Sequence, residues 1–191
     1  MSPIAWLGVV IAMAIVMVVA VIVVSDSDNE TARLPSAALA NATDHVVEVE
    51  CRQAVRSRRA GPPASNAQIG PLILVGGKLW ARSRPEAFNG HGFKIPVSLP
   101  DGVVATLSVP DSMRGRVGLV YTLGTQEGVS TAGVLSGDAA VRFTACPAGG
   151  RASRSGWPGG IVVDRPLCAR LVVEVQGQAP VRRDVPLGRR C

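Results

Sequence analysis

Histidine, lysine and aromatic residues are all scarce in this chain of 191 residues. It holds two histidines, His45 and His91, two lysines, Lys78 and Lys94, and seven aromatic side chains. So few aromatics, none interleaved with the basic clusters, exclude a stacking platform for single-stranded nucleic acid. No Cys-x-x-Cys pair and no Cys/His cluster occurs at ligand spacing, which excludes the local zinc motifs. Asp26 and Asp28 open like an acidic calcium loop, but no glycine and distal glutamate complete it. Ser-x-x-Lys, a P-loop and Gly-x-Gly-x-x-Gly are absent as well. No cofactor and no metal is therefore expected.

Charge is missing from one long stretch. Ile4 to Val24 runs 21 residues without a charged or strongly polar side chain. At about 1.5 Å of rise per residue such a helix covers roughly 30 Å, the hydrocarbon thickness of a bilayer. A cleaved signal peptide has a basic start, an apolar core of about 7–15 residues and small residues at the cut. None of these fits, so residues 1–24 are expected to form a retained transmembrane helix. Residues 25–44 are polar and rich in structure breakers, and read as a stem. The folded domain is expected over 45–191.

Orientation rests on conflicting signs. The cluster Arg52, Arg56, Arg58 and Arg59 argues for the cytoplasmic side. Four widely spaced cysteines in a short β-rich domain suit an oxidising compartment, and this carries more weight. A single-pass protein of the cell membrane, with its carboxyl-terminal domain extracytoplasmic, is expected. Past residue 30 the chain holds 20 basic and 11 acidic side chains, and all the bases but two are arginine. Such a surface attracts anionic polymers or head groups, although a GC-rich genome also favours arginine.

The text from His45 onward is short alternating runs with turns between them. VVEVEC (46–51), VATLSV (104–109), RVGLVYT (116–122), AVRFTAC (140–146) and CARLVVEV (168–175) each place apolar residues on one face. Pro100-Asp101-Gly102 and Ser136-Gly137-Asp138 mark turns. IGPLILVGG (69–77) and FKIPVSL (93–99) add strands, the second expected at an edge because of its proline. Residues 52–68 are expected to be a mobile loop. With no amphipathic helix in view, the pattern predicts an all-β fold. It would be an antiparallel β-sandwich, Ig-like or fibronectin-like, stapled by disulfides behind one transmembrane helix.

Four cysteines permit three pairings. By strand phase, Cys51 and Cys191 fall inward while Cys146 and Cys168 fall outward. Side chains on opposite faces of a sheet do not meet, which predicts Cys146–Cys168 and Cys51–Cys191. Residues 146–168 then become a disulfide-closed excursion holding Trp157, flanked by Gly156 and Pro158-Gly159-Gly160. An aromatic on a rigid loop is a usual binding anchor; the blander expectation is that Trp157 folds back over the sheet. If this loop recognises anything, Trp157, Arg151 and Arg154 are the residues that do so.

Catalytic signatures are thin. His91, in Asn89-Gly90-His91-Gly92, is the loop histidine available to a nucleophile, and GVSTAG (128–133) fits G-x-S-x-G only loosely. GWPGG (156–160), DRPLC (164–168) and the terminal Cys191 together resemble uncharacterised single-pass, membrane-anchored secreted proteins of GC-rich, actinomycete-like bacteria. That resemblance carries no activity and no site residues. The expected function is a non-catalytic, membrane-anchored binding or assembly module of the cell envelope. Its partners would be the bilayer and another envelope protein or an anionic envelope polymer, not nucleic acid. The alternatives are an envelope hydrolase or transferase using His91, and a purely structural accessory subunit.

Overall fold

Where the sequence alternates, the chain forms strands. The computed structural model describes residues 45–58, 63–149 and 153–191. The expected transmembrane helix and stem, together with Arg59 and Arg151, lie outside the described residues. Among the described residues no helix is long and apolar enough to cross a membrane.

Among the described residues thirteen strands follow one another: β1 (Val46–Val49), β2 (Val55–Ser57), β3 (Ala67–Ile69), β4 (Leu72–Leu74), β5 (Gly92–Lys94), β6 (Val97–Pro100), β7 (Val104–Ser108), β8 (Val117–Val120), β9 (Ala140–Thr144), β10 (Arg154–Trp157), β11 (Gly160–Val163), β12 (Leu167–Val175) and β13 (Val181–Leu187). They make three sheets, in the orders β1-β9-β7-β12-β13, β2-β10-β6-β4-β3 and β5-β11-β8. One apolar core draws on all three, from Val49, Phe143 and Leu171 to Leu74, Trp157 and Ile161. The inward phases expected for β7, β9 and β12 are those observed: Ala105, Leu107, Val141, Phe143, Leu171 and Val173 are all buried.

The one α-helix among the described residues, α1 (Leu123–Ala132), was not expected. It buries only Val129 and carries Gly124 and Gly128, so its sequence has no apolar stripe to read. Thr122 starts it by accepting the Thr125 N–H at 3.2 Å, a side-chain N-cap. A second, small apolar cluster of Val120, Val129 and Val162 lies where the helix meets β8 and β11. Close approach is possible there because Gly118 faces Gly137; a Cβ on Gly137 would stand 2.6 Å from the Gly118 Cα.

Several expectations are corrected. Sheet pairing is not wholly antiparallel: β1 runs parallel to β9, with Val46 opposite Ala140 and Val49 opposite Phe143. The segment 146–168 is not an excursion. It contributes β10 as an internal strand of one sheet and β11 as the central strand of another, with Pro158-Gly159 at the switch. Pro96 acts likewise between β5 and β6, so β6 is internal to its sheet rather than at an edge. Part of the expected loop at 52–68 is strand, since β2 pairs with β10.

The disulfides are Cys51–Cys146 and Cys168–Cys191, and among the described residues no cysteine is free. Both expected pairings are therefore wrong, for one physical reason. Face phase holds only inside a strand, and three of the four cysteines lie beyond strand ends. Cys51 opens a 3-10 turn after β1, and Cys146 follows the end of β9. Parallel pairing brings those two ends side by side, with Cα atoms 4.6 Å apart. Cys191 follows Gly188, whose φ of 77° turns the chain out of the β13 phase and back to Cys168.

Peptide mapping without reduction will return Cys51–Cys146 and Cys168–Cys191. Replacing the first pair by serine will cost roughly 4–5 kcal/mol in urea unfolding, because it closes the longer loop. The second will cost about 3 kcal/mol or less, since β12 and β13 are already joined by a ladder.

Candidate functional site

The residues singled out in the 146–168 segment meet in a buried knot beside the Cys51–Cys146 disulfide. β10 alternates, so Ser155 and Trp157 point into the core while Arg154 and Gly156 face outward. Trp157 is 1% exposed and is therefore not an anchor presented to a partner. Its ring packs 5.2 Å from Phe143, and Phe143 meets Tyr121 edge-on at 5.1 Å. The indole N–H donates to the Glu50 carbonyl at 3.1 Å, and the Tyr121 hydroxyl donates to the Ile95 carbonyl at 2.9 Å. Both aromatic polar ends are thus satisfied, as burial requires. Burial pushes the Tyr121 phenol well above its ordinary value.

Ser155, 0% exposed, accepts the Cys146 N–H at 2.9 Å and donates to Asp101 Oδ1 at 2.8 Å. The other Asp101 oxygen accepts from the Arg56 guanidinium, which also donates to the Gly149 carbonyl. The Asp101 side chain is only 4% exposed. Main-chain bonds from Asp101 N–H to Ser153, Gly102 N–H to Cys146 and Ser153 N–H to Ser57 complete the knot. The Ser155 hydroxyl foremost, then the Arg56 guanidinium, holds the Asp101 carboxyl below its ordinary range against the opposing effect of burial. Chemically Ser155 is a pin: its oxygen and its proton are both engaged, and no solvent reaches it.

Arg154 donates from Nε to Ser98 Oγ at 2.9 Å and from Nη2 to the Ser98 carbonyl at 3.2 Å. Partial burial lowers its pKa, and the nearby Asp101 charge opposes that. It is a cross-strand tie between β10 and β6. The trio Trp157, Arg151 and Arg154 thus yields one core residue, one partly buried tie and one position outside the described residues. His91 stands elsewhere, with its ring beside Gly133 at the carboxyl end of α1. No hydrogen bond joins it to a serine among the described residues.

What the sequence did not single out is the surface next to Trp157. A cleft of about 270 Å³ opens between the start of α1 and the β10–β11 switch. Tyr121 and Trp157 form its floor, while Gln53, Leu123, Gln126 and Pro158 contribute walls. Leu123 is 79% exposed, a large apolar side chain left in water at the first turn of the helix. Gly159 lets the β10–β11 switch pack closely at the edge of this cleft, because a Cβ there would stand 2.4 Å from the Val120 carbonyl. A wider groove of about 620 Å³ crosses the outer face of the first sheet past Thr106, Arg142, Glu174 and Gln178. Its arginine is already paired with Glu48 at 3.3 Å.

A carboxyl held below its ordinary value of 3.8 adds stability that is complete above that pH. The contribution is lost as pH falls through the depressed folded value. Asp101→Asn will therefore melt below wild type at pH 7, and the gap will close on acidification below about pH 4. Asp184, held low by the Arg170 guanidinium, is common to both proteins and cancels in the comparison. A gap independent of pH contradicts this role. Ser155→Ala, which strands the Cys146 N–H, will cost about 2 kcal/mol. Compared with protein-family models, with curated proteins and with solved structures, the chain matches none.

Proposed function

We propose that residues 45–191 are a non-catalytic binding or assembly module of the cell envelope, built as a β-sandwich. An apolar anchor at 1–24 and a stem at 25–44 hold it at the membrane, with the domain outside. The two disulfides support the compartment, because such bonds persist where thiols are not kept reduced.

The observation that carries the binding role is Leu123 at the rim of the Tyr121–Trp157 cleft. A small apolar depression floored by rigid aromatics, with an exposed leucine beside it, suits one apolar side chain of a protein partner. Gln126 stands at the wall as an amide able to bond a partner's main chain, while Gln53, whose oxygen already accepts the Glu50 N–H at 2.7 Å, offers its NH2 as a donor.

A photo-reactive amino acid placed at Leu123 of the full-length protein will cross-link to another envelope protein in intact cells. The same probe at Gly177, a turn glycine with open space around it, will not. Leu123→Asp will reduce capture of that partner at least tenfold while leaving the melting temperature within a few degrees. Equal labelling from both positions overturns the assignment.

A further inference from the structure

One edge strand of the domain is long where the others are short. β13 closes the sheet β1-β9-β7-β12-β13 and runs seven residues, Val181–Leu187. Among the described residues, the other strands that end a sheet, β1, β2, β3, β5 and β8, have three or four residues each. Shortness is a usual protection of an edge against unwanted pairing. β13 lacks it, and Val181, Arg182, Arg183 and Asp184 are all exposed.

Pro186 fixes which main-chain groups of β13 point outward. It lies opposite Cys168 in the β12–β13 ladder, yet proline has no N–H to donate. That position therefore belongs to a pair that exchanges no hydrogen bonds, and its main-chain groups face away from β12. Alternation puts Asp184 and Arg182, opposite Arg170 and Val172, in the same class. Their N–H and C=O groups line the open edge, and nothing among the described residues bonds them.

The side chains along this edge set what can pair with it. Arg170, Arg182, Arg183 and Asp184 line one depression of about 220 Å³. Asp184 is taken up by two bonds from Arg170, at 2.9 and 3.2 Å. Arg182 and Arg183 have no acidic partner among the described residues, and as adjacent strand residues they project to opposite faces. Arg183 shares the phase of buried Val185 and Leu187, opposite buried Leu171, and still reaches solvent. Such a charge is a guard against indiscriminate pairing. It repels basic strands, and it repels a second β13 as well. Antiparallel pairing of two β13 strands through Arg182 and Asp184 sets Arg182, Arg183 or Asp184 against its own copy. An acidic strand meets no such obstacle.

We infer that the β13 edge is the docking site for an extended acidic segment of another protein, which adds to the sheet as a further strand. The main-chain groups of Arg182 and Asp184 supply the pairing. Adjacent carboxylates on the segment meet Arg182 on one face and Arg183 on the other. A lipid surface would leave the edge groups unpaired, whereas a strand uses both the edge and the charges. The site is separate from the Leu123 cleft, which lies at the start of α1 and the β10–β11 switch, and either reading can fail alone.

The probe is a cyclic β-hairpin peptide whose outer strand reads Val-Thr-Glu-Glu-Val-Thr, already ordered before it binds. It is titrated onto the full-length protein in detergent and followed by residue-resolved amide hydrogen exchange. The Arg182 and Asp184 N–H groups will exchange rapidly in the protein alone and become protected by the peptide. The Arg183 N–H, which points to β12, will change little. Arg182→Gln/Arg183→Gln will weaken binding about fivefold or more, while Arg52→Gln/Arg114→Gln, matched in charge, will stay within about twofold of wild type. Leu123→Asp will bind the peptide as wild type does, which separates this site from the cleft. No protection at Arg182 and Asp184, or equal weakening in the charge-matched control, overturns the site and leaves the arginines as guards only. Equal binding of a hairpin with lysines in place of the two glutamates overturns the acidic partner. Undiminished binding of a hairpin N-methylated along its outer edge overturns strand addition.

Discussion

The Cys51–Cys146 disulfide and the buried Asp101–Ser155 hydrogen bond beside it hold together strand ends that lie far apart in the chain. β1 and β9 run parallel into this bond, β6 ends on Asp101, and β10 begins under Ser155. A buried carboxylate without partners would be costly. Here the Ser155 hydroxyl and the Arg56 guanidinium satisfy it, so the cost becomes a specification of how two sheets meet. Trp157 follows from this geometry. Two residues after Ser155 and on the same face, it can only enter the core, where it caps Phe143 and reaches back to Glu50.

Alternation was readable wherever a strand has one wet face. β1, β7, β9 and β12 carry period-2 patterns, and their inward residues are buried except Val47 and Val175, which are half-buried near strand ends. The helix α1 was not readable, because its single buried residue leaves no periodicity. Residues 146–168 misled for a related reason. Arg154-Ser155-Gly156-Trp157 is a polar, glycine-containing run, yet its β10 is internal to its sheet, since Ser155 and Arg154 find buried or cross-strand partners that no local pattern displays. The cysteine pairing failed because phase was extended past strand ends, and because parallel pairing of β1 with β9 leaves no mark on either strand alone.

The candidate surfaces were less legible than the fold. Trp157 drew notice as an aromatic among glycines, but its position in the core makes it a floor, and the exposed neighbour is Leu123.

Amide hydrogen exchange in the Cys51→Ser/Cys146→Ser variant tests most directly whether the disulfide knot joins the sheets. The N–H groups of Asp101, Gly102, Cys146 (here Ser) and Ser153 should lose protection together, while those of the β12–β13 ladder keep most of theirs. Protection lost uniformly across all three sheets, or retained at those four positions, would contradict the account.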